Sequence, residues 1–193
     1  MLRKAILALA VLASPALAQE TLGEGADGPG PNLVIEVTGA ANGKVVIDML
    51  PQYAPKHVDQ MVALAKAGAY DNVVFHRVID GFMAQTGDVQ FGKAGGDLSM
   101  AGTGASDMAD LPAEFSQEPF ERGIVGMARA ASPDSANSQF FIMFAPGEFL
   151  NGQYTVVGRV IEGMDIVDAI KRGDEASNGA VTDPDRIVKA TVE

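Results

Sequence analysis

Short β-forming runs recur along most of this chain, and turn residues cut each of them off. Leu33–Val37 stops at the Gly39–Gly43 turn and resumes as Val45–Leu50, which reads as a hairpin. Residues 73–79, the stretch near 83–86, Gly123–Ala128, Gln139–Phe144, Tyr154–Val160 and Arg186–Val192 follow the same habit. Two stretches instead carry helical spacing of apolar residues: Pro55 to Gly68, with proline suited to a first turn, and Gly163 to Lys171. Many short strands with two helices suit a closed or nearly closed antiparallel barrel rather than a parallel α/β sheet. Closure also removes exposed sheet edges. No internal repeat is visible, and 193 residues, 47% of them hydrophobic, suit one domain with a sizeable core.

The first residues, MLRKAILALAVLASPALAQE, have another character. Arg3 and Lys4 precede a short apolar run, and Ala16-Leu17-Ala18 offers an A-x-A cleavage site before Gln19. The run is shorter than the roughly 20 residues of a membrane-spanning helix. Residues 1–18 therefore read as a cleaved secretory signal rather than an anchor or a buried helix, with no membrane insertion after cleavage. Bacterial style and the lack of a lipobox cysteine favour the periplasm. Residues 19–32, rich in Gly, Pro and acid, read as a flexible arm, and 33–193 as the folded domain.

Composition narrows the chemistry. A formal net charge of −11 repels nucleic acid and anionic membranes. The chain has no cysteine, and its histidines are His57 and His76, so thiol chemistry and a multi-histidine metal site are not expected. His57, early in the first helical stretch, reads as a surface or boundary residue. Asp107, Asp110 and Glu114 lack EF-hand spacing and read as a solvated acidic loop. No G-x-S-x-G elbow supports a hydrolase, and the glycines of 88–113 lack the Gly-Lys-Ser/Thr of a phosphate loop. That long irregular stretch reads as a surface lobe beside a site. What remains is Arg77 among large apolar residues and glutamines. Strand alternation sends His76 and Arg77 to opposite sides, and an unpartnered cation is costly to bury. A partnered structural arginine and a functional one both remain open on these residues alone.

FHRVIDGFMAQTGD, residues 75–88, resembles the first cyclophilin signature. GIVGMARAASPDSANSQFFI, residues 123–142, resembles the second, and GEFLNGQYTVVGRVIEGMDIVDAI, residues 147–170, the third. The likeness runs in family order from about Leu33 to Glu193. It implies a mainly β fold, a closed eight-stranded antiparallel barrel capped by two α-helices. It implies peptidyl-prolyl cis–trans isomerase activity without cofactor or metal, at a groove on the barrel's outside. By resemblance Arg77 is the catalytic residue, and Phe82, Met83, Phe141 and Leu150 form the proline pocket. Gln85 holds Arg77, while His76, Ala128, Gln139, Phe149, Tyr154 and the main chain of Arg129 line the groove. Gly102-Thr103-Gly104-Ala105 borders the pocket for the residue before proline.

Several positions depart from the family pattern. Asp80 replaces a usual proline at a turn, and Thr86 replaces a usual glycine. Phe149 stands where many members have tryptophan, which implies weak cyclosporin binding. Tyr154 stands where many have histidine. The implied partners are Pro-containing unfolded or partly folded polypeptides, bound by a monomer. The competing reading is a non-catalytic module or holdase that only holds such segments; retention of Arg77 speaks against it.

Overall fold

The computed structural model describes residues 26–193. The expected signal, residues 1–18, and the first part of the arm lie outside the described residues. Strand β1, Asn32–Thr38, and β2, Gly43–Met49, form the anticipated hairpin, followed by helix α1, Pro55–Lys66. Then come β3 Val73–Val74, β4 Arg77–Ile79, β5 Met83–Thr86, β6 Ile124–Met127, β7 Phe140–Met143, β8 Val156–Glu162, helix α2 Met164–Ala169 and β9 Arg186–Val192. Single 3₁₀ turns occupy Glu148–Leu150 and Glu175–Ser177.

All neighbouring strands pair antiparallel in one nine-stranded sheet, ordered β3-β9-β1-β2-β8-β6-β7-β5-β4. The fold is mainly β with two helices, but the expected count of eight strands in a closed ladder is corrected. The run 73–79 is two strands with different partners. Val73 and Val74 pair with β9, whereas Arg77 to Ile79 pair with β5. Between them Phe75 N–H donates to the Asp185 carbonyl. The run's continuous β-propensity hides this change of partner, because propensity reports a fit to a pleated surface and not which strand supplies it.

Strand alternation divides the apolar residues into two groups. Val78, Ala84, Ile142 and Val125 stand opposite one another across β4, β5, β7 and β6, and each is fully buried. They belong to the main core with Leu33, Ile35, Ile47, Met61, Phe75 and Phe140. The intervening residues face the other side, where Met83, Phe141, Met143, Leu150 and Val156 form a second apolar cluster. That second face carries the site.

Helix α1 starts at Pro55, and its N-cap residue Ala54 supplies no side-chain cap. The orphan amides are met from elsewhere: Glu114 Oε2 accepts from Lys56 N–H at 3.1 Å and His57 N–H at 3.2 Å. The same oxygen lies 2.7 Å from His57 Nδ1. His57 is fully buried, not a boundary residue, and Glu114 meets its Nδ1 there. Asp107, Asp110 and Glu114 do not gather into a metal site; among the described residues no group of three or more such side chains does. Burial pushes the Glu114 carboxyl up, but the His57 and Lys56 hydrogen bonds outweigh it and hold it below its ordinary value. A depressed carboxylate stabilises the fold above its unfolded pKa and loses that contribution as pH falls through the folded value. Glu114→Ala should therefore cost about 1–2 kcal/mol in urea unfolding at pH 7, the loss of a helix cap, and an unchanged midpoint would refute the capping role.

The described end of the arm lies against the sheet. Asp48 and Arg159 face each other across β2 and β8, and both side chains are buried. Asp48 Oδ2 accepts from Arg159 Nε at 3.1 Å and Nη2 at 2.9 Å, and the Ala26 carbonyl also accepts from Nη2.

Candidate functional site

The register places Arg77 opposite Gln85, Gln85 opposite Phe141, and Phe141 opposite Gly126. Residues in one such row share a face, so four strands deliver this set to the side away from the main core. Gly126 has a steric reason. A Cβ there would lie 2.5 Å from Phe141 Cζ and 2.6 Å from Phe120 Cε1. Its absence lets those rings stack, 5.8 Å apart with planes 23° from parallel.

A cavity of about 260 Å³ opens over this row. Phe82, Met83, Phe141, Phe149 and Leu150 give it apolar walls, and Arg77, Gln85, Ala128, Arg129 and Tyr154 complete the lining. Tyr154 meets Phe141 edge-on at 5.8 Å, and the Arg129 guanidinium lies 4.4 Å over the Tyr154 ring. The Arg129 guanidinium is held there by the Ala130 and Gln153 carbonyls at 3.0 and 3.1 Å. Phe149, at 70% exposure, tilts over Phe82 with centroids 5.4 Å apart and forms an open rim.

Arg77 is fixed from three sides. Its Nε donates to the Asn178 carbonyl at 3.1 Å and its Nη2 to Asn178 Oδ1 at 3.1 Å. Its Nη1 donates to Gln85 Oε1 at 3.2 Å and touches Met83 Sδ at 3.8 Å. Burial lowers its pKa from the ordinary value, yet arginine stays protonated at neutral pH. The second N–H of Nη2 has no partner among these contacts. Gln85 Nε2 donates in turn to Gln139 Oε1 at 3.0 Å, and Gln139 Nε2 to the Gly104 carbonyl at 2.8 Å. One polar chain therefore links Arg77 to the glycine-rich lobe.

A second cavity of about 450 Å³ adjoins the first and shares Gln85, Ala128 and Arg129 with it. Gly102, Thr103, Gly104 and Gln139 line it, together with Asp110 and Asn137. His76, expected in the groove, lines neither cavity. It is buried behind Gly102, where a Cβ would lie 3.0 Å from its ring. Burial, aided by the Arg77 charge, lowers its pKa against the raising effects of Asp88, Val74 and Gln139.

Two residues of this region escape sequence reasoning. Asn178 lies 101 residues from Arg77, holds a left-handed φ of 54°, and accepts from the guanidinium with both its carbonyl and its side-chain oxygen. The Asn178-Gly179 dipeptide signals a turn, but nothing in it signals a distant partner. Asp88, fully buried, gathers four backbone amides: Gln90 and Phe91 on Oδ1, Gly102 and Gly104 on Oδ2. Asn178→Gly keeps the left-handed backbone and the carbonyl but removes one charge-assisted bond. It should lower kcat/KM for the proline isomerisation that the cyclophilin resemblance implies about fivefold, with little change in Tm; an unaltered rate would show that the Asn178 side chain does not position Arg77.

Comparison with known proteins agrees with this geometry. The family described as cyclophilin type peptidyl-prolyl cis-trans isomerase matches residues 33–192. A probable peptidyl-prolyl cis-trans isomerase of Brucella suis is 63% identical over 154 residues, covering 79% of each chain. A peptidyl-prolyl cis-trans isomerase of Schizosaccharomyces pombe is 36% identical over 148 residues, 77% of this chain and 92% of that one. Among solved structures, a cyclophilin of Cryptosporidium parvum, crystallised in the presence of the dipeptide Ala-Pro, aligns with TM-score 0.71 at 26% identity, covering 84% of this chain and 98% of that one. A family match across nearly the whole described sheet, reached independently of the cavity and its fixed arginine, leaves one assignment: the chain belongs to the cyclophilin-type peptidyl-prolyl cis–trans isomerases.

Proposed function

We propose that this isomerase acts on X–Pro bonds of exported polypeptides as they fold, in the periplasm, after loss of residues 1–18. The observation that carries the site reading is the guanidinium of Arg77 anchored beside an apolar cavity of about 260 Å³. Proline fits there as a compact apolar ring against Phe82, Met83, Phe141 and Leu150. The Cryptosporidium relative crystallised with Ala-Pro supports a dipeptide of this kind as the minimal occupant. The signal-like start, MLRKAILALAVLASPALAQE, supports export.

Mechanistically, an X–Pro amide interconverts over tens of seconds because rotation breaks C–N resonance. At the twisted transition state the nitrogen lone pair is no longer delocalised and accepts a hydrogen bond that the planar forms cannot. A pre-positioned N–H of Arg77 binds that twisted form selectively, which is the condition for catalysis. Asn178 and Gln85 hold the donor in place before substrate arrives, so little reorganisation accompanies the reaction. Gln85 and Gln139 offer amides to the peptide backbone, and the aromatic walls exclude water. Nothing in this route requires a nucleophile or a redox group.

The test has two arms. Residues 19–193 should accelerate isomerisation of an Ala-Pro peptide and the refolding of an exported protein limited by a cis-proline. Cell fractionation with N-terminal sequencing should recover a periplasmic chain beginning at Gln19. A cytoplasmic chain retaining Met1 would remove the export reading and leave the isomerase intact.

A further inference from the structure

Asn-Gly, the dipeptide in which a backbone amide most easily reaches a side-chain amide, occurs three times, at Asn42-Gly43, Asn151-Gly152 and Asn178-Gly179. Reaction within such a pair needs two groups free: the glycine N–H, which attacks, and the asparagine Nδ2, which leaves. At two of the pairs the fold ties one of them down. Asn42 Nδ2 donates to the Gly39 carbonyl at 2.9 Å, and Gly179 N–H donates to the Asp174 carbonyl at 2.8 Å. Asn151 and Gly152 are both exposed. Asn151, at φ −58° and ψ 127°, and Gly152, at φ 66°, form the tip of a type II turn, closed by Gln153 N–H to the Leu150 carbonyl at 2.9 Å. The amide between the two central residues takes no part in closing that turn, and Gly152 N–H has no partner among the described residues. Asn151 Nδ2 has none either, while its Oδ1 accepts from Phe120 N–H at 2.8 Å, which draws electron density from Cγ. A Cβ at Gly152 would meet nothing within 4 Å, so a ring can close there without collision.

We propose that Asn151-Gly152 is a self-modification site at the edge of the proline cavity, where the folded chain deamidates first and converts in part to isoaspartate. Gly152 N attacks Asn151 Cγ. The N–Cγ bond forms, the Cγ–Nδ2 bond breaks, and Nδ2 leaves as ammonia with the proton from Gly152 N. Water then opens the cyclic imide. Attack at Cγ gives aspartate in the ordinary chain; attack at the main-chain carbonyl carbon gives isoaspartate, with the chain routed through Cβ and Cγ. The two products differ in their effect on the site. An aspartate carboxylate at this position still accepts from Phe120 N–H. Isoaspartate adds a methylene to the backbone of the turn and moves the acceptor away from Phe120, whose ring stacks on Phe141. The lengthened turn carries Phe149 and Leu150 on one side and Tyr154 on the other, three walls of the cavity of about 260 Å³. The effect on catalysis therefore rests on proline occupying that cavity; the modification itself does not.

The experiment ages residues 19–193 in mildly alkaline buffer, folded and in urea, and follows all three pairs by peptide mass. In the folded chain Asn151 should react at least about fivefold faster than Asn42 or Asn178, the factor set by the one hydrogen bond that must open at each of the others. In urea the three rates should come within about twofold of one another, because only sequence then distinguishes them. A protease that cuts before aspartate tells the products apart, cleaving the aspartyl form and sparing the isoaspartyl one. The isoaspartyl fraction, isolated by ion exchange, should lose about tenfold in kcat/KM on an Ala-Pro peptide, because displaced walls cost orientation. Asn151→Asp, which keeps the Phe120 contact, should stay within about twofold of the wild type. Asn42 or Asn178 reacting first in the folded chain, or an Asn151 lead that persists in urea, overturns the assignment of the site to the fold. An isoaspartyl fraction as active as fresh protein overturns its effect on the cavity. Fresh wild type inactive on every proline peptide overturns the isomerase reading instead, and the mapping still decides the site.

Discussion

Arg77→Ala is expected to lower kcat/KM for an Ala-Pro peptide by about 10²- to 10³-fold, the usual cost of removing one preorganised donor from a transition state. At about 1.36 kcal/mol per decade this is roughly 3–4 kcal/mol of lost transition-state binding. The fold should survive, because Arg77 sits at a groove and contributes nothing to the main core. Its removal frees Gln85 Oε1 and Asn178 Oδ1, both able to meet water. Arg77→Lys separates charge from geometry. A lysine brings a point charge, but it cannot bond Asn178 and Gln85 together as the planar fork does, so most of the loss should persist. Loss should fall mainly in kcat, since the ground-state amide nitrogen is a poor acceptor. A variant that raises KM alone would show that Arg77 binds peptide uniformly and leaves the twist unaided.

Much of this was legible in the sequence, for physical reasons that differ from residue to residue. Phe140-Phe141-Ile142-Met143 announces a strand by composition, and its alternation already assigns Phe140 and Ile142 to one side and Phe141 and Met143 to the other. The two helical stretches were legible because their apolar spacing is dictated by one element at a time. What stayed hidden depends on pairs far apart in sequence. His57 looked like a boundary residue because its partner Glu114 lies 57 positions away in a loop without periodicity. Residues 73–79 looked like one strand because nothing in Phe75-His76 marks the switch from β9 to β5. The location of His76 behind Gly102 follows from the path of the glycine-rich lobe, which is set by Asp88 and not by local pattern. Local order follows from local composition; side-chain partners follow from the tertiary course of the chain.

The strongest test of that last point is the Asp48–Arg159 pair, two charges brought face to face by the β2–β8 register. Arg159→Met should destabilise the protein by about 3–5 kcal/mol at pH 7, because it strands a buried carboxylate. Burial already raises the Asp48 pKa above its ordinary value, against the lowering effect of the Arg159 hydrogen bond and charge and of the Gly28 backbone. Removing Arg159 raises it further. A carboxyl whose folded pKa lies above the unfolded one binds its proton more tightly when folded, so stability falls as pH rises from the unfolded value through the folded one. The deficit of Arg159→Met relative to wild type should therefore shrink as the solution is acidified and Asp48 takes up its proton. Read as a difference, this trend stands apart from the acid lability of depressed carboxylates such as Glu114, which both proteins share. The double variant Asp48→Leu/Arg159→Met removes both charges and should recover most of the stability at pH 7. Urea unfolding of the wild type and the two variants at pH 4 and pH 7 decides it. A pH-independent deficit, or a double variant no better than the single one, would mean that Arg159 acts by packing alone.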